Sequence, residues 1–595
     1  MKSLFTQSAF WRITFLPFCL FLFTACNSDD PAIEQKVKID WSPTNGPDGG
    51  EVLVVAAVDD RIVAGTYWGI FVSDNNGDTW TRVSDEAALS IVATTDKLYA
   101  TTLDGIIASS DDGDSWQDFG SLGQMTTSFL AVGADLFAGS SYSGVFKSAG
   151  VNSWNEVNNG LTNLKIRALA TNGSRIFAGT EGGGVFISDD LCEKWTASNS
   201  GLANLNVHTL LVVKDYVFAG TQGGVFVSSD NGVTWVSTAL QGLITFRLES
   251  QGSDILAGTN GGVWSTSNLG ATWTSMNNGL SNYIVRGLLA NGDRLYSGTQ
   301  DGVFLSSDNG QSWQRKNDGL VSQSVIALAW HNDKLYAGTY GTVHVTSDAG
   351  AHWNVANSHP LSQFVEALAV NGNTILQGND GASFISTDGG VTWEIMPGLN
   401  GMPINEFLID GNGWYASAVA YGVFVSADNG QHWTAMNTGL TEMQVRGMGK
   451  SGDHLFVGTN GAGIFRSTSG GNWVQVNNGL SEHATLFVND LIEFDGKIIA
   501  GTVGGILISE DNGETWKKTL SDVYTNELST GSGLVVAASY QGVYVSRDGG
   551  ESWTVENWSL KNKQVRSVAV GKDKIAIGVE GGGTFVSPLP TVRSE

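Results

Sequence analysis

The segment Ser306-Ser307-Asp308-Asn309-Gly310-Gln311-Ser312-Trp313 decides the fold, because its pattern S-x-D-x-G-x-[TS]-W recurs along the chain. Asp can accept hydrogen bonds from the backbone amides of a tight hairpin, and Gly supplies a turn residue with positive φ. Thr or Ser returns the chain to an extended form, and Trp covers the neighbouring sheet with a large apolar surface. The pattern is intact at Ser109–Trp116, Ser228–Trp235, Ser306–Trp313, Ser386–Trp393, Ser509–Trp516 and Ser546–Trp553.

Tryptophan marks a repeat of about 40 residues that fills the chain from Trp41 to Trp553. Within one repeat, turn sequences separate short runs of alternating apolar residues, which predict strands. For residues 284–315 the predicted strands are Ile284–Leu289, Arg294–Gly298, Val303–Ser306 and Ser312–Arg315. Four antiparallel strands per repeat of this length are typical of a β-propeller blade.

The repeated segment resembles the Asp-box (BNR) repeat of sialidases, sortilin-type propellers and tandem-propeller xyloglucanases. The resemblance covers residues 38–588, nearly the whole chain after the leader. It implies a propeller fold but says little about function, because the box itself is structural. A calcium loop is not favoured for Asp308-Asn309-Gly310, since the first acid and the closing Glu of such loops are absent.

The repeat count predicts an all-β protein with two tandem seven-bladed β-propellers. Thirteen complete units run from about Val52 to Trp553, and fragments at the two chain ends supply a fourteenth. Propellers close with four to eight blades, so fourteen should divide into two rings. A division in which both chain ends complete one ring resembles the xyloglucanase arrangement. The predicted rings are residues 38–278 completed by 560–590, and an inserted ring at 279–556.

Composition and charge exclude several classes of protein. The chain has 77 Gly but only 9 Pro among its 595 residues, with no three-residue period, so it is not collagen. Charged residues are 15% of the chain, too few for an intrinsically disordered protein of this apolar content. The formal charge of −26 argues against nucleic acid as a partner, because binding relies on Lys and Arg neutralising phosphates.

The first 25 residues have the pattern of a bacterial lipoprotein signal. Lys2 and Arg12 precede the apolar run Ile13–Phe23, which is too short to span a membrane. Phe23-Thr24-Ala25-Cys26 resembles a lipobox, which implies lipidation of Cys26, and residues 26–37 would form a tether. The acidic start of this tether is similar to that of surface-exported lipoproteins. We therefore expect a lipid-anchored protein of the outer membrane, at the cell surface or facing the periplasm. An ordinary secretory signal is the alternative.

Candidate site residues come from the loops that surround the channel mouth of a propeller. At the entrance of the first strand, aligned repeats differ and include Arg167, Arg286, Arg446 and Arg566. Between the second and third strands lie Tyr67, Trp68 and Asp380. If the first and last blades are neighbours in one ring, Tyr67 and Trp68 share a rim with Trp558, Arg566 and Glu580. Exposed aromatic and polar groups of this kind suit sugars or an extended peptide; packing of the two Trp residues over a seam between blades is the alternative.

The glycosidase families that the repeat resembles use specific catalytic and substrate-binding residues. Sialidases use an arginine triad that starts in an R-I-P context, which does not occur here. Xyloglucanases use two acids across the cleft between rings, one of them in a T-D-x-G-G loop. The matching stretch is Gly65-Thr66-Tyr67-Trp68-Gly69, so Tyr67 replaces that acid, and Asp380 alone cannot fill both roles.

We therefore expect a non-catalytic, monomeric binding protein that recognises a glycan or a protein and needs neither a cofactor nor a metal. Two alternatives remain open from the sequence. One is a glycoside hydrolase, xyloglucanase-like or sialidase-like, that acts at the cleft between the propellers. The other is an assembly factor, because seven-bladed photosystem-assembly propellers have similar repeats.

Overall fold

A computed structural model describes residues 39–589 except 40, 45–47, 59–60, 322, 340–341, 359–364, 380, 411–412, 468–470, 558–559 and 561–563. The predicted signal, tether and Cys26 lie outside the described residues, as do Asp380 and Trp558. The strands form fourteen antiparallel four-stranded sheets, which confirms the predicted fold class. No helix in the described ranges is long and apolar enough to cross a membrane.

In blades 1 to 13, strands A to D follow one another in the chain and pair in that order. The first ring has seven unbroken blades: Val52–Val58, Arg61–Thr66, Gly69–Ser73 and Thr81–Ser84; Ser90–Ala93, Leu98–Thr101, Gly105–Ser109 and Gln117–Ser121; Thr126–Val132, Asp135–Ser140, Val145–Gly150 and Ser153–Glu156; Ile166–Thr171, Ile176–Thr180, Gly184–Ser188 and Thr196–Ala197; Val207–Val213, Tyr216–Thr221, Gly224–Ser228 and Val236–Gln241; Thr245–Gln251, Asp254–Thr259, Gly262–Thr266 and Thr274–Ser275; Val285–Asn291, Arg294–Thr299, Gly302–Ser306 and Gln314–Arg315.

The second ring follows in the same order, and its last blade takes strand D from the start of the chain. Its blades 8 to 14 are Ala327–His331, Lys334–Gly338, Thr342–Thr346 and Asn354–Ser358; Val365–Asn371, Thr374–Asn379, Ser383–Ser386 and Glu394–Ile395; Ile404–Asp410, Gly413–Ala418, Gly422–Ser426 and Thr434–Ala435; Val445–Ser451, His454–Thr459, Ile464–Ser467 and Trp473–Gln475; Val488–Phe494, Lys497–Thr502, Gly505–Ser509 and Lys517–Ser521; Thr525–Gly531, Leu534–Ser539, Gly542–Ser546 and Thr554–Val555; Val565–Val570, Lys574–Val579 and Gly583–Pro588 with Ser42–Pro43. A 3₁₀ turn, His483–Leu486, precedes blade 12.

The Asp-box closes the hairpin between strands C and D as its residues predict. Asp308 Oδ1 accepts the amide of Ser312 at 2.9 Å, and the Ser306 hydroxyl accepts the amide of Gly310 at 2.8 Å. Gly310 has φ +81°, which other residues adopt only with strain. Trp313 is 4% exposed and donates its Nε1–H to the carbonyl of Met276 in the preceding blade at 2.7 Å. The box therefore fixes its own hairpin and also joins neighbouring blades.

The first ring closes between its first and seventh blades. Val52, Val55 and Phe71 share a buried cluster with Tyr296 and Val303. Trp80 also donates its Nε1–H across this junction, to the carbonyl of Lys316 at 2.8 Å. Strand A of blade 1 thus packs against strand A of blade 7, and the unbroken ring spans Val52–Arg315.

The second ring is closed by the two ends of the described chain. Ser42 pairs with Val586, and Pro43 with Phe585. On its other side blade 14 packs against blade 8, where Val325 and Leu335 share a core with Ala576.

The predicted ring boundaries at 38–278 and 279–556 are therefore wrong. The chain ends share a blade, but the ring that they close is built from residues 327–588. The unbroken ring, Val52–Arg315, is the first of the two and is inserted between strand D of blade 14, Ser42–Pro43, and the rest of the second ring. Because blade 7 packs against blade 1, residues 279–315 belong to the first ring.

Candidate functional site

Most of the variable positions at the strand A entrance are β-bulges. In blade 4, Ile166 pairs with Thr180 and Ala168 with Gly179, so Arg167 is left without a partner residue across the strand pair. The same register shift occurs in most blades, at Leu53, Thr127, Arg167, His208, Phe246 and Arg286 of the first ring and at Glu366, Asn405, Arg446, Asn489, Asn526 and Arg566 of the second. A bulge redirects a side chain away from the regular alternation of the strand, so these positions can carry polar groups, as most of them do.

The first ring brings Tyr67, Arg167 and Arg286 into one electrostatic environment. Burial raises the pKa of Tyr67, the carboxylate of Glu51 raises it further, and the charges of Arg286 and Arg167 oppose the rise. Arg286 Nε lies 2.5 Å from Glu51 Oε1, and Arg167 Nη2 lies 2.5 Å from Glu181 Oε2. Each arginine is therefore paired with an acid, so the charges near Tyr67, which is 40% exposed, compensate one another.

Aromatic packing holds the Arg286 pair in place. The guanidinium carbon of Arg286 lies 4.8 Å from the centroid of the Phe246 ring, a cation–π arrangement. His208 lies beside Phe246, with ring centroids 6.1 Å apart. Burial lowers the pKa of His208 and the charge of Arg167 lowers it further, so this imidazole stays neutral at physiological pH.

Trp68 lies where the two rings meet. A Cβ added at Gly581, in the B–C loop of blade 14, would lie 1.7 Å from Trp68 Cγ. The Trp68 amide donates to Thr66 Oγ1 at 3.0 Å, and its carbonyl accepts a hydrogen bond from Arg82. The expected proximity of blades 1 and 14 therefore exists, but between rings and not within one. Trp68 is a packing residue at this junction.

We expect Trp68→Ala to lower the free energy of unfolding by about 2 kcal/mol, because it leaves a void between the rings. Gly581→Ala should destabilise the native protein by a similar amount, since the added methyl displaces the indole. In a Trp68→Ala background, Gly581→Ala should lower the free energy of unfolding by less, because the clash with the indole is gone and only the backbone strain at residue 581 remains. Urea unfolding of the native protein, the two single variants and the double variant measures this difference. If Gly581→Ala lowers the free energy of unfolding equally in both backgrounds, the contact is refuted.

The mouth of the second ring opens into a cavity of about 960 Å³. Arg446 and Arg566 line it together with Tyr524, Tyr540 and Asn489. Arg566 Nη1 donates to the Tyr540 hydroxyl at 2.6 Å, and Arg446 Nη1 donates to Asn489 Oδ1 at 3.0 Å. Burial raises the pKa of Tyr540 while the charges of Arg566 and Arg446 oppose the rise, which places both arginines near one hydroxyl.

Three carboxylates that the sequence patterns did not single out line the same cavity, one of them buried and two half-buried. Glu406, Asp490 and Glu527 occupy the third position of strand A in blades 10, 12 and 13. Burial and the neighbouring Asp490 carboxylate raise the pKa values of Glu406 and Glu527 well above their usual range, and burial raises that of Asp490 to about 6. The sequence does contain a signal for these acids, because the third position of strand A is small or apolar in most other blades, such as Ala168 and Gly447.

Each of these carboxylates bonds the next blade. Glu406 Oε2 accepts the amide of Met448 at 2.6 Å, and Glu527 Oε2 accepts that of Val568 at 2.8 Å. Asp490 Oδ2 accepts the amide of Leu528 at 2.6 Å. Strand A is the inner edge of its sheet, so its outward amides lack a ladder partner. The acids supply that partner and latch consecutive blades around the channel.

A further carboxyl pair lies where the chain crosses between rings. Burial raises the pKa of Asp48 to about 6, and the neighbouring Asp318 carboxylate adds to the rise. Asp48 is also fixed through its backbone, because its carbonyl accepts hydrogen bonds from Arg315 at 3.0 Å and Gln323 at 2.8 Å. No group of three or more His, Cys, Asp or Glu suited to a metal occurs among the described residues.

Comparison with known proteins agrees with this architecture. A model of the BNR/Asp-box repeat family matches residues 384–394, which confirms the resemblance of the repeat. A search of curated proteins found no match. Among solved structures, the GH74 xyloglucanase from Xanthomonas campestris is similar with a TM-score of 0.67 at 14% identity, covering 93% of this chain and all of that one. An ancestral GH74 enzyme gives 0.70 at 15% identity, covering 93% and 99%.

A third similar structure is PorZ, described as an essential bacterial surface component of the type-IX secretion system of Porphyromonas gingivalis. It has a TM-score of 0.57 at 13% identity and covers 92% of this chain and 86% of that one. At such identities the likeness shows a shared tandem-propeller fold. Enzymes and a secretion component share this fold, so function must be argued from the residues of the site.

Proposed function

We propose that this protein is a lipid-anchored, surface-exposed and monomeric binding protein whose ligand, a glycan or a protein segment, enters the mouth of the second ring. The observation that carries the proposal is the cavity of about 960 Å³ lined by Arg446, Arg566, Tyr524 and Tyr540. Concave sites that combine aromatic faces with a few convergent polar groups are typical of ligand binding.

The deep carboxylates of this cavity support a non-catalytic role. Glycoside hydrolysis needs one carboxyl group that donates a proton and a second that acts as base or nucleophile. Glu406, Asp490 and Glu527 each hold a backbone amide of the next blade. A substrate would have to displace these latches to reach the oxygens, at a cost in ring stability.

A glycan array and an outer-membrane pull-down, both with the mature protein, test the proposal. The double variant Tyr524→Ala, Tyr540→Ala should lose the ligand found in either experiment. Tyr142→Ala is the matched control, because Tyr142 is 70% exposed on a loop of the first ring. Ligand retained by the double variant, or lost in the control alone, would place the site elsewhere.

The alternative is a glycoside hydrolase, favoured by the likeness to GH74 enzymes over the whole fold. Asp48 is its candidate acid, because a carboxyl group with a raised pKa beside a second acid is the arrangement that acid–base catalysis uses. Release of reducing ends from xyloglucan, abolished in Asp48→Asn, would establish this alternative and overturn the binding protein. Under our proposal, neither protein releases them.

Lipid anchoring makes a separate prediction. Cys26→Ala removes the thiol that the lipobox resemblance marks for acylation, so the protein should move from the membrane fraction to the soluble fraction. Immunoblots of both fractions measure the change, and Cys192→Ala is the control because Cys192 is buried in the first ring. Retention of the Cys26→Ala protein in membranes would refute the anchor.

A further inference from the structure

Four blades carry arginine at the bulge of strand A, and one of these arginines differs from the other three. Arg167 pairs with Glu181, Arg286 with Glu51, and Arg566 with Glu580 at 3.7 Å. For Arg446 no carboxylate lies within ion-pair distance in the part of the chain that the structure describes. Its side chain lines the cavity of the second ring.

The vacant position has a structural counterpart in two of these blades. Glu181 and Glu580 each lie fourteen residues after their arginine, in the B–C loop, and the residue fourteen after Arg446 is Asn460. The backbone geometry is shared, because the amides of Glu181, Asn460 and Glu580 bond the carbonyls of Lys165, Gln444 and Gln564 at 2.9–3.0 Å. Blade 11 thus keeps the loop and lacks the acid.

Neighbouring side chains orient the guanidinium of Arg446 without neutralising its charge. The side-chain amide of Asn460 donates to Gln444 Oε1 at 2.7 Å, and neither side chain carries a charge. Asn489 donates its Nδ2–H to the carbonyl of Thr525 at 2.8 Å, which turns its Oδ1 towards Arg446. The guanidinium is oriented by a neutral acceptor and keeps its charge and remaining donors for a ligand.

We propose that Arg446 binds the carboxylate of an acidic sugar, a uronic-acid residue of a glycan, whose ring lies against Tyr524 and Tyr540. This rests on the binding function proposed above and names its ligand class. The two tyrosine rings meet edge to face with centroids 4.8 Å apart, so they present an angled aromatic wall beside Arg446 and Arg566.

Charge and strand geometry narrow the ligand class. Glu366, Asp410 and Glu493 also line the cavity, and the formal charge of the chain is −26. A densely charged polyanion would be repelled, whereas one carboxylate can be compensated by Arg446. A peptide that binds by strand addition would need free strand edges, but the side-chain amides of Asn405, Asn489 and Asn526 bond carbonyls of the next strand A at 2.7–2.8 Å. A sugar needs no such edge.

The experiment titrates the mature protein with a panel of uronic-acid-bearing oligosaccharides, each paired with its carboxyl-reduced neutral counterpart. We expect at least one acidic member to bind about 10- to 100-fold more tightly than its counterpart, as for a charge-assisted hydrogen-bonded pair. Arg446→Gln should remove this preference. Arg167→Gln, the matched control in the first ring, should keep it.

A second variant tests the vacant position without removing the arginine. Asn460→Glu places an acid where blades 4 and 14 have one, so it should pair with Arg446 and abolish binding while the fold is kept. Equal affinity for acidic and neutral members, preference kept in Arg446→Gln, or no binding of any acidic member would overturn the inference. Binding of neutral sugars alone leaves the proposed function standing, whereas a protein ligand that requires Arg446 would replace the sugar.

Discussion

Trp41→Ala is expected to lower the free energy of unfolding by about 3–5 kcal/mol, the cost of emptying a well-packed tryptophan site. Trp41 is 2% exposed and shares a core with Leu534, Val565 and Ile577. Its Nε1–H donates to the carbonyl of Glu556 at 2.7 Å. Because this tryptophan adjoins the strand that completes blade 14, its loss weakens the closure of the second ring.

The loss of stability caused by Trp41→Ala should be confined to the second ring. Amide hydrogen exchange should accelerate in residues 327–588 and stay unchanged in 52–315, because the first ring closes through its own blades. Trp154→Ala is a suitable control, since Trp154 is only partly buried in blade 3 and its loss should affect the first ring alone. Faster exchange in residues 52–315 after Trp41→Ala would contradict the observed closure.

The blades were predictable because their signals are local. The Asp308 box fixes one hairpin through contacts within a few residues, and Trp313 reaches only the preceding blade. Ring closure is different in kind. The contact of Val52 with the cluster around Tyr296 uses the same apolar residue types as every contact between successive blades. Nothing in such a repeat marks which blade ends a ring, so the boundary at residue 278 was wrong.

The candidate site was predictable in part for the same reason. The aligned repeats mark the positions of Arg167, Arg286, Arg446 and Arg566, which are β-bulges, and Arg446 and Arg566 line the cavity of the second ring. The alignment could not show that three of them are neutralised, because their partners depend on loop geometry and, for Arg286, on Glu51 from the other end of the ring.

The carboxylates of strand A are harder to predict from the sequence than those in loops. Glu406 and Glu527 lie inside strands, where alternation predicts packing residues. Their role depends on an unpaired amide in the next blade, which only the assembled ring reveals.

These acids make a contribution to stability that is lost as the pH rises above about 4. The pKa values of Glu406, Asp490 and Glu527 are raised in the folded state, so folding favours their protonated forms. Their contribution is complete below the pKa of the unfolded chain and is lost as the pH passes the folded value. For Asp490, whose pKa rises from 3.8 to about 6, the loss is about 3 kcal/mol, at about 1.4 kcal/mol for each pH unit between the two values.

The double variant Glu406→Gln, Glu527→Gln should flatten this pH dependence and be more stable than the native protein at pH 8. Glutamine keeps an oxygen that can accept the amides of Met448 and Val568, but it cannot ionise. Urea unfolding at pH 5 to 8 measures the effect. Asp308→Asn is the control, because hydrogen bonds from Ser312 and Ser306 lower the pKa of Asp308 to about 2, so it does not titrate in this range. Parallel curves for native protein and double variant would show that the latches are charged in the folded ring.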